Sequence, residues 1–288
     1  MSDRLQVRKT YKLYVGGALA RSESGRYDVA TAADGTALAN VPRGSRKDVR
    51  DAVKGARAAA DPWAARTAYN RGQILYRMAE AIESRADEFA ASSARSRGLK
   101  PGNARAEVAA AVDACVHYAG WTDKLHAVMG AVAPVAAPYL ALVTPEPTGV
   151  VAVIAPDEPD LLGLVAELLP PLATGCTVVA LVSERHPLAS LDLGEVLAVS
   201  DVPAGVVNLI SGRRDELVPQ LCGHRDVNAI VEASGIDAHS QAAGDLAAET
   251  VKRLVRSRLD YTDGDAVRSL TRIEPLVELK TAWHPVGA

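Results

Sequence analysis

The second half of the chain repeats one pattern: a short unbroken apolar run, then a stretch with apolar residues at helical spacing. The apolar runs are VVAVI (150–154), TVVALV (177–182), VVNLI (206–210) and NAIVE (228–232). The stretches between them predict helices over 160–173, 188–199 and 214–222, with another opening near Asp237. Runs of Val and Ile without polar alternation belong to strands covered on both faces, and their alternation with helices predicts a parallel sheet. Beyond Gly235, Val251, Leu254, Val255 and Leu259 fall at i, i+3, i+4 and i+8, which predicts one further helix.

The first half is mostly helical. Residues 11–31 read as short strands around a Gly16-Gly17 turn. Ser45 is an N-cap for KDVRDAVKGARAAA, a helix that Pro62 should end. A second helix is predicted from Thr67 to Ser92, with Ile74, Leu75, Met78, Ala79 and Ile82 on one face, and a third over 104–124. AVMGAVAPVAAPYLALVTPEPTGV then reads as two extended segments around Pro134 and Pro138, a β-ribbon that leaves the domain body. The chain closes on an extended tail, RIEPLVELKTAWHPVGA. With right-handed crossovers the expected fold is α/β: a Rossmann-like doubly wound parallel sheet, a projecting β-ribbon, and a short C-terminal helix plus strand. Residues 1–124 and 148–259 form the sheet domain in this reading; 125–147 with 273–288 form the ribbon and tail.

Composition narrows the function classes. The 288 residues carry a net charge of −3, which leaves no basic excess for nucleic-acid phosphates. Aromatic residues make up 4%, so the core should consist of small aliphatic side chains. The longest apolar run, Ala127–Val143, is broken by Gly130, Pro134 and Pro138, so no membrane span is expected. MSDRLQVRKTYK has no apolar segment of the signal-peptide kind. Three widely spaced cysteines, Cys115, Cys176 and Cys222, fit reduced thiols and a cytoplasmic location. The histidines show no metal-binding spacing, and no metal site is expected.

Several segments, taken in order, resemble the aldehyde dehydrogenases: YVGG (14–17), AARTAYNRGQILYRMAEAIESRADEFA (64–90), YAGWTDK (118–124), EPTGVVAVIAP (146–156), LLPPLATGCTVVALVSERHPL (168–188), VPAGVVNLISG (202–212) and HRDVNAIVEASG (224–235). The resemblance implies an NAD(P)-binding domain, a catalytic domain with a nucleophilic cysteine, and a ribbon that joins subunits. It also implies a C-terminal strand, here Lys280–Pro285, that pairs within the oligomer. Only the cofactor half and the ribbon elements are matched, and the catalytic domain is expected to be absent.

The same resemblance implies a damaged site. The nucleophile's Gly-Gln-x-Cys setting has no counterpart, and all three cysteines read as small buried residues. Glu158 stands where the family places an oxyanion-binding Asn, in Pro156-Asp157-Glu158-Pro159-Asp160. A carboxylate there repels developing negative charge. Glu158 reads either as a general acid or base or, by preference, as an acidic residue at a solvated helix N-terminus. Glu184 keeps its place in the ribose-binding run, but Leu181 replaces the Lys. The pyrophosphate turn becomes Glu232-Ala233-Ser234-Gly235, and of a Gly-x-Gly only Gly212 remains, followed by Arg213 and Arg214, read as a solvated basic pair. Pro156, Glu184, Gly212, Ser234 and Gly235 are therefore vestigial cofactor residues. Losing several donors at about 1–3 kcal/mol each predicts weak or lost NAD binding and no working cofactor.

The expected function is that of a catalytically inactive subunit in a homo- or hetero-oligomer, with a full-length aldehyde dehydrogenase as the favoured partner. Two alternatives stand beside it: an NAD(P)-binding sensor or regulator, and a dehydrogenase active only with a partner chain.

Overall fold

The computed structural model describes residues 7–286. Residues 1–6, on which part of the signal-peptide reading falls, and residues 287–288 at the end of the predicted tail lie outside the described residues. β1 (Lys9–Thr10) is followed by a hairpin of β2 (Leu13–Val15) and β3 (Ala18–Ala20). Gly16 and Gly17 turn it with φ of 61° and 81°, values glycine adopts without steric cost. β4 (Tyr27–Thr31) and β5 (Ala37–Pro42) form a second antiparallel pair, joined by β1.

α1 (Arg46–Ala64) starts at the predicted cap: the Ser45 hydroxyl accepts from the Asp48 N–H, and the Asp48 carboxylate accepts from the Ser45 N–H at 2.7 Å. Pro62 does not end it. The helix continues past the proline because one lost bond near its end is offset by burying Trp63. The helix predicted over 67–92 is two, α2 (Ala68–Ser84) and α3 (Ala86–Arg97), broken at Arg85, whose side chain bridges Glu88 and Glu195 at 2.8 Å each. α4 (Pro101–Trp121) and a short α5 (Leu125–Met129) lead to the ribbon strands β6 (Ala131–Ala133) and β7 (Tyr139–Pro147).

Then the alternation begins: β8 (Val150–Ile154), α6 (Leu162–Thr174), β9 (Thr177–Leu181), α7 (Pro187–Val199), β10 (Val207–Ile210), α8 (Arg214–Cys222), β11 (Ala229–Glu232) and α9 (Asp237–Glu249). The helix predicted from Val251, Leu254, Val255 and Leu259 is not formed. Residues Arg253–Arg256 are instead β12, a fifth parallel strand that pairs with β11 from Ala229↔Arg253 to Glu232↔Arg256. So short an apolar run satisfies either period, and the open edge of β11 decides between them. α10 (Gly264–Val267), two 3-10 turns at Leu270–Arg272 and Glu274–Leu276, and β13 (Val277–Pro285) complete the chain.

The main sheet has the order β12-β11-β8-β9-β10-β2-β3. Val151 and Val153 point into a core that also holds side chains of α2, α4, α6 and α7; Val150, Ala152 and Ile154 point into one with α1, α8 and α9. Strand order reverses between β8 and β11, which places the crevice at the carboxyl ends of these strands. The ribbon is a separate sheet, β13-β7-β6. The tail pairs with its own chain's β7, from Val277↔Pro147 to Pro285↔Tyr139, and Trp283 packs edge-on to Tyr139 at 5.9 Å. Residues 257–276 join β12 to this tail. Glu167, buried on α6, holds that connection by accepting from Ser257 Oγ (2.8 Å), Tyr261 OH (2.9 Å) and Arg272 Nη2 (2.8 Å).

Candidate functional site

The turns after β8, β9, β10, β11 and β12 meet at one end of the sheet. Pro156 leaves β8 in close contact with α6: a Cβ on Gly163 would stand 2.4 Å from its ring. Asp157 then turns back towards β9. Its Oδ1 accepts from the Glu184 N–H (2.9 Å) and from Ser183 Oγ (3.1 Å), and lies 3.1 Å from Arg214 Nη1.

Arg214 is the residue the sequence placed wrongly. Arg213 is solvated as read, but Arg214, the first residue of α8, is 1% exposed. Its Nη2 donates to the Ala155 carbonyl and, at 3.4 Å, to the Val182 carbonyl, so the guanidinium sits under the ends of β8 and β9. Burial draws its pKa down, against the opposing charges of Asp157, Glu184 and Glu232. The Arg214 backbone N–H, at the α8 N-terminus, already donates to Glu184 Oε2 at 2.8 Å. Glu184 therefore caps α8. Gly212 is required before this helix: its φ is 149°, and a Cβ would meet Leu217 at 2.8 Å.

A second ion pair fills the next turn. Glu232 has no exposed surface; it accepts from the Ser234 N–H (2.9 Å), from the Ser234 hydroxyl and from Arg258 Nη1 (2.9 Å). Arg258 was missed because 251–259 read as helical. Gly235, with φ of 70°, completes the turn.

Glu158 does not serve as a helix cap; α6 begins without a side-chain cap at Leu161. Its half-exposed carboxylate instead faces His186 Nε2 at 3.3 Å and Arg97 Nη2 at 3.6 Å. Behind it, Asp160 is fully buried and accepts from Ser93 Oγ (3.0 Å) and Arg97 Nη1 (3.0 Å). Burial pushes the Asp160 carboxyl up despite Arg97.

Two clefts flank these pairs. One, about 400 Å³, is lined by Asp28, Thr31, Ser183, Glu184, Gly212 and Arg213. The other, about 570 Å³, is lined by Pro156, Glu158, Ser234, Ser257, Arg258 and Tyr261. A dinucleotide's diphosphate needs free N–H donors, as a helix N-terminus supplies. Here the Arg214 and Ser234 N–H groups already serve internal carboxylates, and Asp157, Glu158, Glu184 and Glu232 set negative charge around them. These two N–H groups are thus not free for a diphosphate, and the surrounding carboxylates would oppose its charge.

A sequence model of the aldehyde dehydrogenase family matches residues 19–256, ending at the last residue of β12. The chain belongs to the aldehyde dehydrogenase family. It is 32% identical over 250 residues to the putative aldehyde dehydrogenase DhaS of Bacillus subtilis, covering 85% of this chain and 50% of that protein. It is 33% identical over 224 residues to the mitochondrial benzaldehyde dehydrogenase of Antirrhinum majus, covering 76% of this chain and 41% of that one. Among solved structures, the NAD+ complex of aldehyde dehydrogenase from Bacillus cereus superposes with a TM-score of 0.81 at 29% identity, over 85% of this chain and 50% of the other. A putative aldehyde dehydrogenase from Burkholderia cenocepacia gives the same score, identity and coverage. The chain spans about half the length of these aldehyde dehydrogenases.

No cysteine lines either cleft. Cys115, Cys176 and Cys222 are all buried, and burial pushes each thiol up, Cys222 to about 12. Among the described residues no group of three or more His, Cys, Asp or Glu side chains is arranged to hold a metal ion, and no helix is long and apolar enough to cross a membrane.

Proposed function

We propose that this chain is a catalytically silent member of the aldehyde dehydrogenase family whose work is assembly, as a subunit docked through its ribbon, with a full-length family member as its preferred partner. The observation that carries the reading is the ribbon. Val132, Leu140, Leu142, Leu279 and Trp283 are exposed on it, and β13 offers a long free edge. Apolar strands with open edges favour a covering partner. The ends of the parallel strands support the silent half of the reading: two internal ion pairs stand there, and no thiol.

Co-expression with full-length aldehyde dehydrogenases from the same cells, followed by pull-down and native mass measurement, tests the reading. A stable mixed oligomer of defined mass is expected. A monomer at all concentrations, with or without these relatives, overturns it.

A second reading, a dinucleotide-binding regulator, draws on Glu184, Gly212 and the cleft of about 400 Å³ that both line. Calorimetric titration with NAD and NADP distinguishes it: on the leading reading, millimolar ligand gives no heat.

A further inference from the structure

We propose that the open edge of β13 takes the same edge of a second copy of this chain, antiparallel and centred on Thr281, so that two three-stranded ribbons merge into one sheet. The inference rests on the assembly reading and goes further: it names the occupant of one edge, its register, and the groove that receives its tryptophan.

The backbone sets what this edge offers. The Thr148 N–H donates to the Leu276 carbonyl, and pairing with β7 then runs without a shift from Val277↔Pro147 to Pro285↔Tyr139. Antiparallel ladders alternate bonded and non-bonded pairs. Bonds to β7 therefore fall to Glu278, Lys280, Ala282 and His284, while Leu279, Thr281 and Trp283 turn their N–H and C=O groups outwards. Two facts agree with this. Pro145 and Pro147, which have no N–H, stand opposite Leu279 and Val277, and the outward Val277 carbonyl accepts from Arg253. Among the described residues no strand pairs with β13 on this side.

The strand complements itself in one register. With Thr281 opposite its own copy, all nine residues overlap. Leu279 then faces Trp283, Glu278 faces His284, and Lys280 faces Ala282, so no like charges meet. Pro285, without an N–H, falls opposite Val277, whose carbonyl Arg253 already serves. Moving the centre to Lys280 sets that lysine against itself, which is destabilising. Moving it to Ala282 brings Pro285 opposite Leu279, where the ladder needs a donor.

The same register fills a groove. Val277 and Leu279 help to line a space of about 720 Å³ with Trp121, Leu125, Val128 and Met129. Trp283 is 59% exposed. On its own strand it stands four residues from Leu279, about 13 Å away. The second copy's Trp283 stands directly across from Leu279, about 5 Å between Cβ atoms, with an apolar groove beside it.

Sedimentation velocity on the purified full chain should show a dimer. Thr281→Pro removes an outward N–H and spares the β7 ladder. It should weaken the dimer at least about tenfold, with the circular dichroism spectrum unchanged. Thr281→Cys should link two copies under copper-phenanthroline, because Cα atoms of such a pair lie about 5.5 Å apart. Leu279→Cys should not, since its two copies sit about 13 Å apart along the ladder. The three native cysteines are buried and stay silent. Three results overturn the proposal: a chain that is monomeric on its own, a dimer that Thr281→Pro leaves unweakened, or linking by Leu279→Cys as ready as by Thr281→Cys. The mixed oligomer is a separate readout. If the chain is monomeric alone yet joins a full-length relative, self-pairing fails and the assembly reading stands. If it dimerises through Thr281 and no relative binds, self-pairing stands and the full-length partner falls.

Discussion

Arg97 faces three carboxylates at once. Both Glu107 oxygens accept from it at 2.7 Å, Asp160 at 3.0 Å, and Glu158 lies at 3.6 Å. Removing one partner of a buried charged cluster costs about 3–5 kcal/mol, because the other charges stay behind. Arg97→Met should lower stability by about that amount at pH 8, measured by urea unfolding. Burial holds the folded Asp160 and Glu107 carboxyls above their ordinary range. Groups raised in this way contribute stability below their unfolded pKa and lose it as pH rises through the folded value. The Arg97→Met penalty should therefore shrink as pH falls towards 4.5. The thiols give a second pH test. Cys222 is raised from 9.0 to about 12, and Cys115 and Cys176 also move up. Between pH 9 and about 12 the folded chain holds protons that the unfolded chain has released. Stability should fall across that window, and a urea midpoint that stays flat from pH 8.5 to 10.5 would contradict it. In the native protein all three thiols should resist a thiol reagent at neutral pH.

Elements were legible wherever length and period agreed. The Val and Ile runs of β8, β9, β10 and β11 read as buried strands by their β-branched content and the turn residues around them, and Ser45 marked a helix start that the structure forms as a capping box. β12 was not legible, because its two apolar residues, Leu254 and Val255, stand between arginines and also fall at helical spacing with Val251 and Leu259. That error hid Arg258, and with it half of the charge arrangement at the strand ends. The break at Arg85 was hidden for a different reason: it follows from tertiary contacts with Glu195 on a distant helix. The connection from β12 to the ribbon depends on one buried acceptor. Glu167→Ala should leave Arg272, Ser257 and Tyr261 without it and destabilise the chain by about 3 kcal/mol or more. Hydrogen exchange should locate the loosening in residues 257–276, while β8 and β9 stay protected. On the ribbon, Leu142→Glu together with Trp283→Ala should abolish the proposed assembly and leave the monomer folded, as read by light scattering and circular dichroism.

For the whole molecule, the sequence exposed unusual residues more readily than the partners they find in the fold. Glu158, Glu232 and Leu181 stood out against the family resemblance, but the partners of the two glutamates lie elsewhere along the chain: His186 and Arg97 for Glu158, Arg258 for Glu232. Pairing of this kind is a property of the fold. Purified protein mixed with aldehydes and NAD+ or NADP+ should produce no reduced-nicotinamide absorbance, and turnover by the chain alone would end the silent reading. One feature of the architecture bears on how quickly a partner could be captured. The ribbon is rooted twice, through the passage from β7 into β8 and through Arg253 of β12, which donates to the Pro275 and Val277 carbonyls where β13 begins. A projection braced at two points meets its counterpart already shaped, so little ordering entropy opposes the encounter. Capture should then be governed by collision and charge, and cutting the chain within 257–276 should slow it before weakening it.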